Sequence, residues 1–154
     1  MRNIFIIFTL VFSQVNLFSQ DYNILDFGAK PDGTTLNTTA IQSAINAATK
    51  NGGGRVLIPK GKFLTGAFIL KTGTELHLQK EATLLGSTNP KHYFNLNRWK
   101  ALVMADNQND ISITGHGEIN GQGRELALHI DSLFYAGQID SAQYNFVERR
   151  PKYY

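Results

Sequence analysis

Three stretches of this chain, GRVLIPKGKFLTG, TELHLQKEATLLG and DISITGHGEINGQG, superimpose on one another. Val56, Ile58, Leu64 and Gly66 fall on Leu76, Leu78, Leu84 and Gly86, twenty residues later. Those four fall on Ile111, Ile113, Ile119 and Gly121 at a longer spacing of thirty-five. Phe68 and Leu70 fall on Val103 and Ala105 at the same longer spacing, which a loop inserted around TNPKHYFNLNRWK explains. Each unit reads apolar-x-apolar, polar turn, apolar-x-Gly, the alternation of short strands. A unit of ~20 residues made of strands and turns cannot bury its own apolar face, but stacked units share one continuous core. The repeat therefore predicts a solenoid.

The segment before the repeat has the opposite periodicity. TTAIQSAINAATKNGGG reads as one helix, with Thr39 and Gln42 as a capping box and Ile41, Ala44, Ile45 and Ala48 as a single apolar stripe. Gly52, Gly53 and Gly54 end it, because glycine enters the left-handed region without steric cost. An open solenoid end exposes strand edges and core, so a helix that precedes the coils is expected to cap them. Upstream of it, Ile24, Leu25 and Phe27 read as a short strand, and Gly28, Pro31, Asp32 and Gly33 as turn residues. The N-terminus, MRNIFIIFTLVFSQVNLFSQ, has a positive Arg2, an apolar run from Ile4 to Phe12 and a cleavage-like Leu17-Phe18-Ser19. Polar residues interrupt it well short of the ~20 apolar residues of a membrane span. Residues 1–19 are thus expected to be a removed signal peptide and residues 20–154 an exported domain, secreted or periplasmic, with no membrane contact after processing.

The remaining composition closes off several classes. The 154 residues suffice for one domain. A net charge of +3, scattered along the chain, gives no nucleic-acid footprint. The absence of cysteine excludes disulfides and thiolate metal sites. No clustered acids suggest calcium and no glycine loop leads into Lys-Ser or Lys-Thr, so neither a metal nor any other cofactor is expected.

The runs DFGAKPDGTTLNTTAIQSAINAA, GGGRVLIPKGKFLTGAFILKTGTELHLQKEATLLGS and ISITGHGEINGQG together resemble the N-terminal part of glycoside hydrolase family 28, the polygalacturonases and their relatives. The first run is shared across the wider pectin-lyase-like superfamily. GEINGQG is similar to the family's G-x-I-D-G-x-G, with Asn120 where Asp is usual, and the tail ERRPKYY resembles an Arg-Pro that precedes a further coil. The resemblance implies an all-β, right-handed, single-stranded parallel β-helix with an N-terminal capping helix. It also implies inverting hydrolysis of galacturonide linkages in pectin-type polysaccharides by carboxyl groups set apart to admit a water. The family's N-T-D, Asp-Asp, Gly-His-Gly and Arg-x-Lys segments come in that order. The Gly115-His116-Gly117 triplet here follows no such Asp motif, so His116 reads as a turn residue and no catalytic residue is carried over. The chain reads as a truncated portion, cap and first coils, of an enzyme expected to be monomeric at full length. A lyase of the same fold and a non-catalytic carbohydrate-binding β-helix are the alternatives.

Substrate contact, if this portion makes any, is expected from His92, Tyr93, Arg98 and Trp99 in the inserted loop, since aromatics stack on sugars and Arg forks onto carboxylates. His77 alternates with Leu76 and Leu78 and should face outward, and the segment LHIDSLFYAGQIDSAQ reads as a loop or short helix on the solenoid wall. Residues 20–154 alone are expected to release no reducing ends from polygalacturonate. Turnover by them that is lost on His116→Ala would overturn the reading of the triplet.

Overall fold

The computed structural model describes residues 20–140, so the leader and the Arg-Pro tail lie outside the described residues. The strands stack as parallel coils. One sheet runs along the molecule as β1 (Asp21–Asn23), β3 (Gly54–Ile58), β6 (Thr74–Leu78) and β9 (Ser112–Gly115). A second runs as β2 (Asp32–Leu36), β4 (Gly61–Thr65), β7 (Ala82–Gly86) and β10 (Glu118–Asn120). A third, short sheet pairs β5 (Phe68–Ile69) with β8 (Val103–Met104). All pairings within these sheets are parallel, as the repeat requires of a parallel β-helix.

Inward positions stack from coil to coil. Val56 lies against Leu76 and Ile58 against Leu78, as the spacing of twenty predicts. In the second sheet the register differs by one. Phe63, not Leu64, pairs with Leu84, and Thr65, not Gly66, pairs with Gly86. Phe63 is fully buried, whereas Leu64 is half-buried on the outer side. The cause is the turn. Pro59-Lys60 carries the first coil round the corner, whereas the second uses Gln79-Lys80-Glu81, with Glu81 in the left-handed region at φ 67°. The third coil also departs from expectation: Leu76 pairs with Ile113 rather than Ile111, and Leu78 with Gly115. Here the corner is cut short. Gly115 turns with φ 101°, and a Cβ on it would run into the carbonyl of Leu78. Leu84 then pairs with Ile119, as the spacing of thirty-five predicts.

Helix α1 (Thr38–Lys50) buries Ile41, Ala44, Ile45 and Ala48, the expected stripe. It takes the place that a third strand would occupy in the coil formed by β1 and β2, before the repeat begins. The Gln42 side chain behaves as a substitute strand edge: its Oε1 accepts from the Ile69 amide at 2.8 Å and its Nε2 donates to the Ile69 carbonyl at 3.0 Å. The expected capping box is therefore absent, because Gln42 serves β5 instead of the helix start. The residue before the helix, Asn37, is likewise diverted. Only 2% exposed, it accepts from the Lys30 amide and donates to the carbonyls of Lys30, Thr35 and Leu64, tying β2, the helix entry and β4 together. Ile24–Phe27 is a single 3-10 turn rather than a strand, since the Asn23 side chain caps the Leu25 amide. The helix on the wall, α2 (Gly123–Tyr135), starts before the segment expected to hold it and ends within it; it buries Ile130 and places His129 Nδ1 2.8 Å from the Thr88 carbonyl. Among the described residues no helix is long and apolar enough to cross a membrane.

The register makes a sharp expectation. Phe63→Ala should cost about 3–5 kcal/mol in urea unfolding, as truncation of a buried aromatic does. Leu64→Ala should cost about 1 kcal/mol, like an average substitution. Equal costs would refute the pairing of Phe63 with Leu84.

Candidate functional site

Two places concentrate polar chemistry. The first is the outer face of the β1-β3-β6-β9 sheet. Neighbouring coils put Arg55 beside Glu75, and His77 beside Thr114. Arg55 Nε donates to Glu75 Oε2 at 3.1 Å, and Thr114 Oγ1 donates to Glu75 Oε1 at 2.6 Å. His77 Nδ1 lies 2.7 Å from Thr114 Oγ1. An ionised carboxylate can only accept, so the threonine hydroxyl spends its proton on Glu75 and must accept from His77. Nδ1 of His77 therefore carries a proton, and in the neutral ring Nε2 holds the free lone pair. The Thr114 hydroxyl first, and Arg55 second, hold the Glu75 carboxyl below the usual glutamate range. A group so stabilised as the anion is a poor proton donor at neutral pH. His77 faces outward as expected, but it is built into a hydrogen-bonded chain. Thr114 was not legible as part of this group, because its partnership with His77 depends on the two-residue shift of the third coil.

The second place is the inserted segment, residues 87–102, between β7 and β8. In the preceding coil the same corner is only Gly66-Ala67. The segment begins with an anchor. Ser87, 3% exposed, has its Oγ 2.7 Å from His92 Nδ1, and Tyr93 donates from its hydroxyl to the Ser87 carbonyl at 2.7 Å. Burial pushes the Tyr93 phenol up. The His92 carbonyl accepts from the Ala67 amide at 2.9 Å, which fastens the anchor to the coil below. The segment then rises to a tight reversal in which Leu96 and Trp99 exchange both backbone hydrogen bonds. Asn97 takes φ 55° at the tip, and its amide donates to Asp106 at 3.0 Å. Arg98 lies with its Cζ 5.1 Å from the centroid of Trp99, which is 63% exposed. Of the four residues expected to contact substrate, His92 and Tyr93 commit their polar atoms to the anchor, while Arg98 and Trp99 stand together in solvent.

The remaining candidates occupy structural positions. His116 is exposed in the third-coil turn, its amide donating to the Leu78 carbonyl. Asp32 accepts from the Thr34 and Thr35 amides and the Thr35 hydroxyl, and these bonds hold its carboxyl far below the ordinary aspartate value. Glu81 pairs with Lys60 at 2.6 Å between adjacent turns. Among the described residues no group of three or more His, Asp or Glu could hold a metal ion.

The stacked coils, the helix and the inserted corner can be set beside known proteins. The family described as rhamnogalacturonase A/epimerase, pectate lyase-like, matches residues 22–141. The chain belongs to that family. It is a polygalacturonase-like member of the pectin-lyase-like superfamily. It is 33% identical over 132 residues to a Vitis vinifera protein named "Probable polygalacturonase", covering 74% of this chain and 27% of that one. It is 54% identical over 71 residues to an exo-poly-alpha-D-galacturonosidase of Dickeya chrysanthemi, covering 46% of this chain and 12% of that one. Its fold superimposes on the family 28 exopolygalacturonase of Yersinia enterocolitica with a TM-score of 0.59 and 40% identity, over 67% of this chain and 21% of that one. The chain thus spans only a minor part of the length of these relatives.

The Glu75 cluster makes a pH-dependent contribution of known sign. Its carboxyl pKa is lowered in the folded chain, so the stabilisation is present above the unfolded value and is lost as pH falls through the folded one. Thr114→Val should lower the melting temperature near neutral pH, and the gap from the parent should close as pH is taken below about 4. A gap that stays constant through that range would show that Glu75 draws nothing from the hydroxyl.

Proposed function

We propose that this chain forms the cap and first coils of an exported glycoside hydrolase that cleaves galacturonide linkages in pectin-type polysaccharides. The observation that carries this reading is the 40% identity and shared coil stacking with an exopolygalacturonase, alongside a 33% identical relative named a polygalacturonase. Residues 20–140 act mainly as scaffold in it. α1 closes the solenoid at its start, and the sheets set the direction in which further coils would stack. Inverting hydrolysis needs an acid and a base carboxyl about 6.5–9.5 Å apart across the sugar. Glu75, Asp32 and Glu81 are each tied to local partners, so the reading gives none of them the role of acid or base and takes the catalytic segment to be missing from this chain. Export rests on the positive Arg2, the apolar run from Ile4 to Phe12 and the polar residues leading to Leu17-Phe18-Ser19 in residues 1–19.

The test uses the protein made from its complete reading frame. Incubated with polygalacturonate, it should release new reducing ends without the ultraviolet absorbance of an unsaturated uronide. Rising absorbance would make it a lyase. Tight binding with neither product would make it a binding module. N-terminal sequencing of the exported protein should begin near Gln20, and retention of Met1 would count against a removed signal.

A further inference from the structure

We propose that Arg98 and Trp99 form a contact for an acidic sugar, the guanidinium taking a uronate carboxylate and the indole taking the apolar face of the pyranose ring. The choice of galacturonate as that sugar rests on the proposed function above. The surface itself rests on three features of the inserted segment.

First, the pair is exposed at a cost. A tryptophan left 63% exposed forgoes burial of one of the largest apolar side chains in the chain. Phe94, in the same segment, is 43% exposed. Second, the charge of Arg98 is available. No carboxylate among the described residues forms an ion pair with it, although Arg55 and Lys60 each have one. A guanidinium stacked over an aromatic ring keeps its N–H donors in its own plane, where a carboxylate can accept two of them. Third, the presentation is preorganised. The Ser87–His92–Tyr93 anchor, the paired backbone bonds of Leu96 and Trp99, and the Asn97–Asp106 bond hold the reversal from both sides. A held platform loses less entropy on binding than a mobile loop would.

The charge and the ring select one class of ligand. A neutral sugar would use the indole and leave the guanidinium solvated. A free phosphate or sulfate would use the guanidinium and leave the indole in water. A pyranose carrying a carboxylate satisfies both at once, because its C–H face and its acid group lie on the same ring.

Trp99 is the only tryptophan in the chain, so its emission reports on this surface directly. The chain without its expected leader, residues 20–154, is titrated with oligogalacturonate, with its methyl ester and with oligomannuronate. Saturable quenching by oligogalacturonate is expected, with about tenfold weaker half-saturation for the methyl ester and for Arg98→Gln. Arg98→Gln should melt close to the parent, since the side chain is exposed and forms no ion pair among the described residues. Quenching that is absent, or equal for acid and ester, or unchanged within about twofold by Arg98→Gln, overturns the proposal. A stronger response to oligomannuronate than to oligogalacturonate upholds an acidic-sugar contact while sinking the galacturonan reading. Hydrolysis of polygalacturonate by the complete enzyme with kcat/KM untouched by Arg98→Gln leaves that reading standing and removes this surface from it.

Discussion

Everything in this molecule depends on one constraint: each coil must lie in parallel register on the coil before it. A parallel strand pair shares its hydrogen bonds evenly, so a strand is satisfied only when another lies along each edge. The inward side chains obey the same rule. Val56, Leu76 and Ile113 stack in one column, and Phe63, Leu84 and Ile119 in another. The first two members of each column are fully buried, whereas Ile113 is 50% and Ile119 40% exposed. The outer edges of β9 and β10 pair with no described strand. A column element is thus as buried as its neighbours make it, the nearest-neighbour energetics of a solenoid.

The same constraint explains how the chain begins. The coil before the repeat has two strands, β1 and β2, and no third, so β5 would present a bare edge. α1 covers it, and Gln42 supplies an amide whose donor and acceptor sit where a strand backbone would place them. Asn37 does the equivalent work inside the corner, making four hydrogen bonds to backbone groups that the turn of the chain would otherwise leave buried and unpaired. In the sequence Gln42 reads as ordinary helix-start chemistry. Gln42 and Asn37 both act on strands distant in sequence.

Corners, in contrast, are where the fold tolerates change. The columns persist while the corner after β3, β6 and β9 varies, and the corner between the second and third sheets grows from Gly66-Ala67 to residues 87–102. An insertion there leaves every ladder intact, since the extra backbone runs over the surface. It is at this corner that the chain exposes an arginine and a tryptophan together. The scaffold stays uniform and the distinctive chemistry collects at the insertion, the division expected when sites are carried on a shared fold.

Apolar alternation at a repeating spacing made the solenoid, the capping helix and the inserted corner legible in the residues alone, because burial on one face imposes a period that any reader of the pattern recovers. The column of Val56 and Leu76 and that of Leu84 and Ile119 could be read in register for the same reason. What could not be read was how many residues each corner consumes. Glu81 in the left-handed region and Gly115 beneath the Leu78 carbonyl shift the register by one and by two, and a shift of this size still leaves an apolar residue near every expected place. The Glu75–Thr114–His77 chain depended on that shift. The spacing also could not separate His92 and Tyr93, turned onto Ser87, from Arg98 and Trp99, raised into solvent. Local spacing sets which residues alternate. Only backbone hydrogen bonding between distant coils sets which of them meet.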